Sequence, residues 1–145
     1  MTTVYLAGQP SRYDDNWKEA FNGLAGFRFI DPEVDSDQSS PETFFPDDVR
    51  HIRACDYLIA NPSDKPSEAT WAEIGIFYAL NTKEPGEFCA KLIIVWKEVR
   101  TPRWSKPFID KMGYVVSSVQ EARERLLSMY LLTRLSKNHP PKVDK

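Results

Sequence analysis

The chain has 145 residues, of which 41% are hydrophobic and 28% are charged, and its net charge is -2. This length and composition predict one globular domain and exclude a disordered chain. The slightly negative charge argues against general binding to nucleic acid or to an anionic membrane, because both need a basic surface.

No apolar run approaches the ~20 residues that a membrane span needs, and residues 1–6 lack the charged and long apolar regions of a signal peptide. We therefore expect a cytoplasmic protein whose two cysteines, Cys55 and Cys89, stay reduced. With two histidines and no cluster of cysteines, a structural zinc site is not expected.

Short apolar runs that predict strands alternate along the chain with amphipathic segments that predict helices. The predicted strands are residues 4–7, 27–30, 57–60, 92–96 and 114–116, and the predicted helices are residues 15–22, 47–55, 70–80 and 119–135. The second of these helices has a start signal at Ser40-Pro41, but Pro46 is expected to break it. The acidic, Ser-rich segment 31–40 is expected to be a mobile loop over a site or merely solvated surface, and no element is predicted for the polar segment 97–113.

Strands that alternate with helices indicate parallel strand pairs joined by helical crossovers. The predicted fold is therefore α/β, a single flavodoxin-like, doubly wound, five-stranded parallel sheet with helices on both faces. This domain covers residues 1–136, and residues 137–145 form a polar, loose tail. Ligands of such sheets bind outside the carboxyl ends of the strands.

The connection at residues 61–75 is the most informative segment, because it carries Glu73 from the third strand into the following helix. One interpretation makes Thr70 and Glu73 a capping box that closes the start of the helix. The other makes Glu73 a carboxylate that attacks or steers a substrate. Gly75 follows, where alanine would favour the helix by about 1 kcal/mol, so the glycine indicates that a backbone or a ligand approaches closely.

A second candidate acid is Asp48, which shares a helix face with the apolar residues Ile52 and Cys55. It is either an acid of the site or an acid placed in the first turn by the helix dipole. Asp47 can fill either of these two places.

Two loops at strand ends also carry candidate residues. Gly8 follows the first strand, where a glycine either lets a ligand approach the backbone or makes a turn. Ser63 and Ser67 precede the third helix, where they can either bind an anion or cap the helix. The glycine-rich dinucleotide fingerprint and the Walker loop are both absent, so no NAD, FAD or ATP cofactor is expected.

Three blocks occur in a characteristic order: Val-Tyr-Leu-Ala-Gly at 4–8, an Asp-containing helix and strand at 48–61, and Ala-Glu-Ile-Gly at 72–75 followed by Tyr-Ala-Leu at 78–80. With these blocks the chain resembles the nucleoside 2-deoxyribosyltransferase family and its relatives, the 2'-deoxynucleoside 5'-monophosphate N-hydrolases. The resemblance covers about residues 3–95.

The resemblance implies a flavodoxin-like fold, a homodimer or higher oligomer, and no metal or organic cofactor. Glu73 takes the place of the catalytic nucleophile, Asp48 that of the acid near sugar and base, and Tyr5 and Gly8 line the sugar pocket. The implied partners are a small deoxynucleoside or deoxynucleotide and a nucleobase, with no nucleic-acid polymer and no membrane.

The chain also departs from the family pattern. The second acid that transferases carry six residues before the nucleophile is replaced by Ser67, and a serine there contacts the 5'-phosphate in the nucleotide hydrolases. The usual glycines before the Glu block are Ala69, Thr70 and Trp71, which make a bulkier loop, and a C-terminal Asn for a neighbouring site is missing. We assign Trp71 to substrate contact, because aromatic residues near strand ends can stack on a planar base.

The expected function is cleavage of the N-glycosidic bond of 2'-deoxynucleosides through a covalent Glu73-deoxyribosyl intermediate, with transfer of the sugar to another base. The alternatives are a 2'-deoxynucleoside 5'-monophosphate N-hydrolase, with Ser67 near the phosphate, and a non-catalytic nucleotide-binding module. A phospho-receiver domain is disfavoured, because its acceptor Asp follows the third strand, whereas Asp56 precedes it.

Overall fold

The computed structural model describes residues 1–8, 16–62, 67–96 and 105–138. It contains a five-stranded, all-parallel sheet of order β2-β1-β3-β4-β5. The strands are β1 (Thr2–Gly8), β2 (Phe27–Ile30), β3 (Tyr57–Asn61), β4 (Leu92–Val95) and β5 (Tyr114–Val116). The predicted α/β fold is thus confirmed.

Helices cover both faces of the sheet. They are a 3-10 helix at Trp17–Phe21 and the α-helices α1 (Pro32–Asp35), α2 (Pro41–Ala54), α3 (Glu68–Leu80), α4 (Ser105–Asp110) and α5 (Val119–Asn138). Side chains alternate along β1, so that Tyr5 and Ala7 join the core under α2 and α3, while Val4 and Leu6 join the core under the 3-10 helix and α5. All four of these residues are buried, as expected for a parallel strand covered on both faces.

The segment predicted as a loop at residues 31–40 contains helix α1 and is hydrogen-bonded to α2. Its signal was present in the sequence, because Asp31 caps α1 by accepting a hydrogen bond from the Glu33 amide and Pro32 takes the first helical position. The Asp37 amide donates to Asp47 Oδ2 at 3.0 Å, which ties the segment to the first half of α2.

Two helix boundaries also differ from the predictions. Pro46 lies inside α2, which begins at Pro41 rather than after the proline. Pro46 removes one backbone hydrogen bond near the helix start, and the Thr43 hydroxyl, which accepts from the Ser40 amide at 3.2 Å, closes the first turn. Helix α5 continues to Asn138, so residues 137 and 138 of the expected tail are helical.

Helix α4 lies in the segment 97–113 for which no element was predicted, and residues 97–104 and 139–145 lie outside the described residues. Cys55 and Cys89 are both buried free thiols. Among the helices that the structure describes, none has the length and apolar character needed to cross a membrane.

Candidate active site

Glu73 and Tyr5 form the centre of the site. Tyr5 is fully buried on β1, and its hydroxyl donates a hydrogen bond to Glu73 Oε2 on α3. Helix α3 begins at Glu68 with Ser67 at its cap position, which places the buried Thr70 at the third helical residue. The capping-box interpretation of Thr70 and Glu73 is therefore wrong, and the Glu73 carboxyl group accepts a hydrogen bond from the Tyr5 hydroxyl instead.

Burial raises the pKa of Glu73 to about 7, and the nearby charge of Asp48 raises it further. The hydrogen bond from Tyr5 and the positive charge of Lys18 oppose this rise. Burial, reinforced by Glu73, also raises the pKa of Tyr5, so the phenol stays a hydrogen-bond donor. A carboxyl group that titrates near neutral pH beside a fixed donor is typical of a catalytic acid, base or nucleophile.

Asp48 is the second acid of the site. It lies on α2, where its Oδ1 atom is buried and has no hydrogen-bond partner among the described residues. Burial raises its pKa, while the hydroxyl of Ser36 and the charges of His51 and Lys18 lower it. Asp47 instead bonds to the Asp37 amide, so Asp48, rather than Asp47, is the α2 acid that is close to Glu73.

Lys18 is a residue of the site that the sequence reasoning missed. It lies in the 3-10 helix, its side chain is buried, and its Nζ atom is 2.5 Å from Asp31 Oδ1. Its charge lowers the pKa of both Glu73 and Asp48. The spacing of Lys18 from the buried Phe21 gave no signal, because residues three apart share a face in a 3-10 helix and in an α-helix alike.

Ser36 is the other residue that was missed. Its side chain is 7% exposed, and its hydroxyl completes no well-formed hydrogen bond within the part of the chain that the structure describes. Nothing in the sequence distinguishes it from the neighbouring serines of the acidic segment.

Gly8 is the last residue of β1, and a side chain at this position would point away from Glu73. A Cβ atom added there would lie 2.7 Å from Cζ2 of Trp17. The indole thus occupies the space beside the strand end, which explains the glycine by packing alone. Gly8 nevertheless lies at the carboxyl end of the strand that carries Tyr5.

Ser67 is partly buried at the cap position of α3. This is the helix end where an anion site was predicted. Ser63, the other serine of that prediction, lies outside the described residues.

Trp71 is not brought together with Glu73. The two residues are about 200° apart around α3, and Trp71 instead contacts Trp96 edge-on, with ring centroids 5.4 Å apart. It lines an apolar groove of about 610 Å³ with Gly75, Tyr78 and Phe108 among others. No atom lies within 4 Å of a Cβ added at Gly75, so nothing in the described part of the chain requires this glycine.

The described residues contain no group of three or more His, Cys, Asp or Glu side chains arranged to hold a metal ion. What the site offers is a pair of carboxyl groups with different partners. Glu73 accepts a hydrogen bond from Tyr5, which favours its ionised form, while Asp48 interacts with the Ser36 hydroxyl but its Oδ1 atom completes no well-formed hydrogen bond. Such a pair can combine a nucleophile with a proton donor.

In comparisons with known proteins, no protein-family model matches the chain and no curated protein matches it at a significant level.

Proposed function

We propose that the protein cleaves the N-glycosidic bond of 2'-deoxynucleosides through a covalent Glu73-deoxyribosyl intermediate and transfers the sugar to another nucleobase. The observation that carries the proposal is the partly buried Glu73 carboxyl group, which accepts a hydrogen bond from the Tyr5 hydroxyl beside a second acid, Asp48. The resemblance of residues 3–95 to the deoxyribosyltransferase family supports the same chemistry. Nucleosides and bases are metabolised in the cytoplasm, which is the compartment we propose.

The proposed reaction is a double displacement. Glu73 attacks C1' of the sugar through Oε1, since Oε2 accepts the Tyr5 hydrogen bond. The C1'–N bond breaks, its electron pair stays on the base nitrogen, and Asp48 supplies the proton that the leaving base takes. A nitrogen of the second base then attacks C1' and gives its proton to the Asp48 carboxylate, while the bond between C1' and Glu73 breaks and releases the Glu73 carboxylate, so the configuration at C1' is retained.

The electrostatics of the site suit these two roles. Bond breakage gives the sugar a cationic, oxocarbenium-like character, which an adjacent carboxylate stabilises. The pKa of Glu73 of about 7 leaves a large ionised fraction at neutral pH. As anions the two carboxyl groups repel each other, so a proton held by Asp48, whose pKa burial raises, favours the ionised form of Glu73 and is available to the leaving base.

A 2'-deoxynucleoside 5'-monophosphate N-hydrolase is the second candidate function. Ser67 at the cap position of α3 favours it, because the start of a helix attracts phosphate. Water would then replace the second base as the acceptor. A non-catalytic nucleotide-binding module ranks third, since it gives no role to a carboxyl group titrating near pH 7.

Product analysis separates these functions. The protein is incubated with deoxyinosine or dCMP, each with and without adenine, and the products are separated by chromatography. A new nucleoside that forms only with adenine establishes transfer. Free base released from the monophosphate without an acceptor establishes hydrolysis. If neither appears across the four deoxynucleosides and their monophosphates, the binding module takes the place of the enzyme.

We expect Glu73→Gln to lower turnover by about 10³-fold or more, because the amide cannot form the sugar ester. Glu68→Gln is the matched control, since Glu68 is an exposed acid in the first turn of the same helix. A Glu73→Gln protein that keeps near-normal turnover would remove Glu73 as the nucleophile.

We also propose that the protein assembles as a homodimer or a higher homo-oligomer. The outer face of α3 carries the small exposed residues Ala72, Gly75 and Ala79. Large exposed apolar side chains flank it, with Phe45 60% exposed and Phe108 67% exposed. Small residues let two helices approach closely, and an apolar rim gives such a contact its free energy.

A further inference from the structure

The buried hydroxyl of Ser36 has no evident structural purpose. The side chain is 7% exposed, and its Oγ atom completes no well-formed hydrogen bond with a described residue. Buried hydroxyl groups nearly always have a hydrogen-bond partner, because removing one from water without compensation costs free energy. An unsatisfied hydroxyl beside an active site therefore indicates a partner that arrives with the substrate.

Hydrogen bonds on both sides of Ser36 hold it against α2. The preceding carbonyl, that of Asp35, is 3.2 Å from His51 Nε2, and the following amide, that of Asp37, donates to Asp47 Oδ2 at 3.0 Å. Asp48 lies between these two α2 contacts. Its Oδ1 atom is likewise buried and without a partner among the described residues. The effect of the Ser36 hydroxyl on the pKa of Asp48 agrees with this proximity, although neither Oγ nor Oδ1 completes a well-formed hydrogen bond.

We propose that Ser36 is a specificity-determining residue that, together with Asp48, forms hydrogen bonds to the polar edge of the nucleobase. A carboxyl oxygen accepts from an N–H group, and a hydroxyl donates to a neighbouring ring nitrogen or carbonyl oxygen. The ligand class is a base with adjacent donor and acceptor groups, such as the amino group and ring nitrogen of adenine or cytosine. This inference rests on the proposed function, because it assigns the base end of that same site.

The positions of the strands indicate that Ser36 and Asp48 lie near the base of the substrate rather than near its 5' group. Glu73 acts at C1', from which the base and the 5' group extend in different directions. Ser36 follows β2, whereas Ser67 follows β3, and these strands flank β1 on opposite sides. The start of α3 suits a phosphate, which leaves the Ser36 and Asp48 end for the base.

The test combines two changes: a variant that lacks the Ser36 hydroxyl and a substrate whose base lacks its amino group. kcat/KM is measured for wild type and Ser36→Ala with 2'-deoxyadenosine and with purine 2'-deoxyriboside, which lacks the amino group. Deoxycytidine and 2-pyrimidinone 2'-deoxyriboside replace them if the protein prefers pyrimidines, and 5'-monophosphates are used if it prefers nucleotides. Ser39→Ala is the matched control, because Ser39 is an exposed serine of the same segment.

We expect Ser36→Ala to lower kcat/KM about tenfold for the amino-bearing substrate and little for its analogue, because one hydrogen bond is lost only where both partners exist. Ser39→Ala should change neither value. Equal losses of kcat/KM on both substrates would overturn the inference, since a structural role affects them alike. So would a Ser36→Ala protein that melts several degrees lower, because removing an unsatisfied hydroxyl should not destabilise the fold.

The same comparison can be made without turnover. Dissociation constants of adenine and purine are measured by calorimetry for wild type and Ser36→Ala. A preference of wild type for adenine that disappears in Ser36→Ala supports the role of Ser36, even if the absence of any cleavage has already rejected the proposed enzyme. If the variant keeps the preference, or wild type has none, Ser36 does not recognise the base.

Discussion

Tyr5 and Glu73 illustrate how one hydrogen bond adjusts a reactive group. Burial disfavours the Glu73 carboxylate, and the Tyr5 hydroxyl recovers part of its lost hydration by donating to Oε2. The folded pKa of about 7 lies above the ordinary value of 4.5. Because the proposed nucleophile must be ionised, activity should rise with pH up to about this pKa, and because Asp48 must hold a proton, activity should fall again at higher pH.

Tyr5→Phe should move the acid limb of the pH profile of kcat/KM to higher pH. The Tyr5 hydrogen bond lowers the pKa of Glu73, so its loss raises this pKa and reduces the ionised fraction at a given pH. We expect kcat/KM to fall roughly tenfold at pH 6, the effect of losing a hydrogen bond to a charged group, and to fall less at pH 9.

Tyr57→Phe is the control for this measurement, because Tyr57 lies at the opposite end of the sheet beside Asp56 and Lys91. An acid limb that stays in place in Tyr5→Phe would show that Tyr5 does not set the ionisation of Glu73.

Single residues of the site were only partly predictable from the sequence. Glu73 and Asp48 were identified because a helix that follows a parallel strand brings its first turns to the carboxyl edge of the sheet. Trp71 was assigned to the substrate from its residue type, yet its position two residues before Glu73 places it on another side of α3. The burial of Ser36 could not be predicted from the sequence, because tertiary contacts decide which one of several neighbouring serines is buried.

At the scale of elements, the Lys18 and Asp31 ion pair joins the 3-10 helix to the start of α1. Asp31 also caps α1, so the same carboxylate fixes both the lysine and the segment that carries Ser36. The pair is largely buried, with side-chain exposures of 9% and 27%. Such a pair costs desolvation, and removing one partner leaves the other charge uncompensated.

We expect Lys18→Met to lower the free energy of unfolding by about 1–3 kcal/mol, less than for a fully buried pair because Asp31 keeps some solvent contact. Chemical denaturation of Lys18→Met, Asp31→Asn and the double variant measures the coupling between the two residues. The double variant should be less destabilised than the sum of the single variants.

The exposed pair Lys106 and Asp110, whose Nζ and Oδ2 atoms are 3.0 Å apart on α4, is the control and should show a much smaller coupling. Additive losses at Lys18 and Asp31 would mean that the ion pair does not join these elements energetically.

The elements themselves were mostly predictable where the apolar pattern is strong. Strands β2 and β5 and the body of α3 follow directly from short apolar runs and helical periodicity. Helices α1 and α4 have four and six residues, too few to display a period, and they were missed. The helix predicted at residues 15–22 is a 3-10 helix of five residues, too short for its sequence to distinguish a period of 3.0 from one of 3.6.

At the scale of the whole molecule, the alternation of strands and helices was sufficient to predict a parallel α/β sheet. The order β2-β1-β3-β4-β5 places the first strand between the next two. Which helices remain open to a partner could not be predicted, since exposure depends on how the helices are distributed between the two faces. The exposed face of α3 became visible only in the structure.

If α3 forms the proposed interface, Ala79→Arg should weaken self-association by about 100-fold or more, because a charge would be buried without a partner. Sedimentation velocity over a range of protein concentrations measures this change. Ala90→Arg, at an exposed position in the turn before β4, is the control and should associate like wild type.

An Ala79→Arg protein that associates normally would reject this interface. Leu132→Arg then tests the end of α5, where Leu132 is 66% exposed.

The position of β1 inside the sheet also has a consequence for folding kinetics. β1 precedes the other strands of the sheet in the chain, yet its two neighbours are residues 27–30 and 57–61. The Tyr5 and Glu73 side chains, which are hydrogen-bonded to each other, are 68 residues apart in sequence. Each of these pairings closes a long loop before it gains any stabilisation, which slows folding. The contact between Tyr5 and Glu73 therefore cannot form in a partly folded chain, and the return of the proposed activity during refolding would report completion of the central strands.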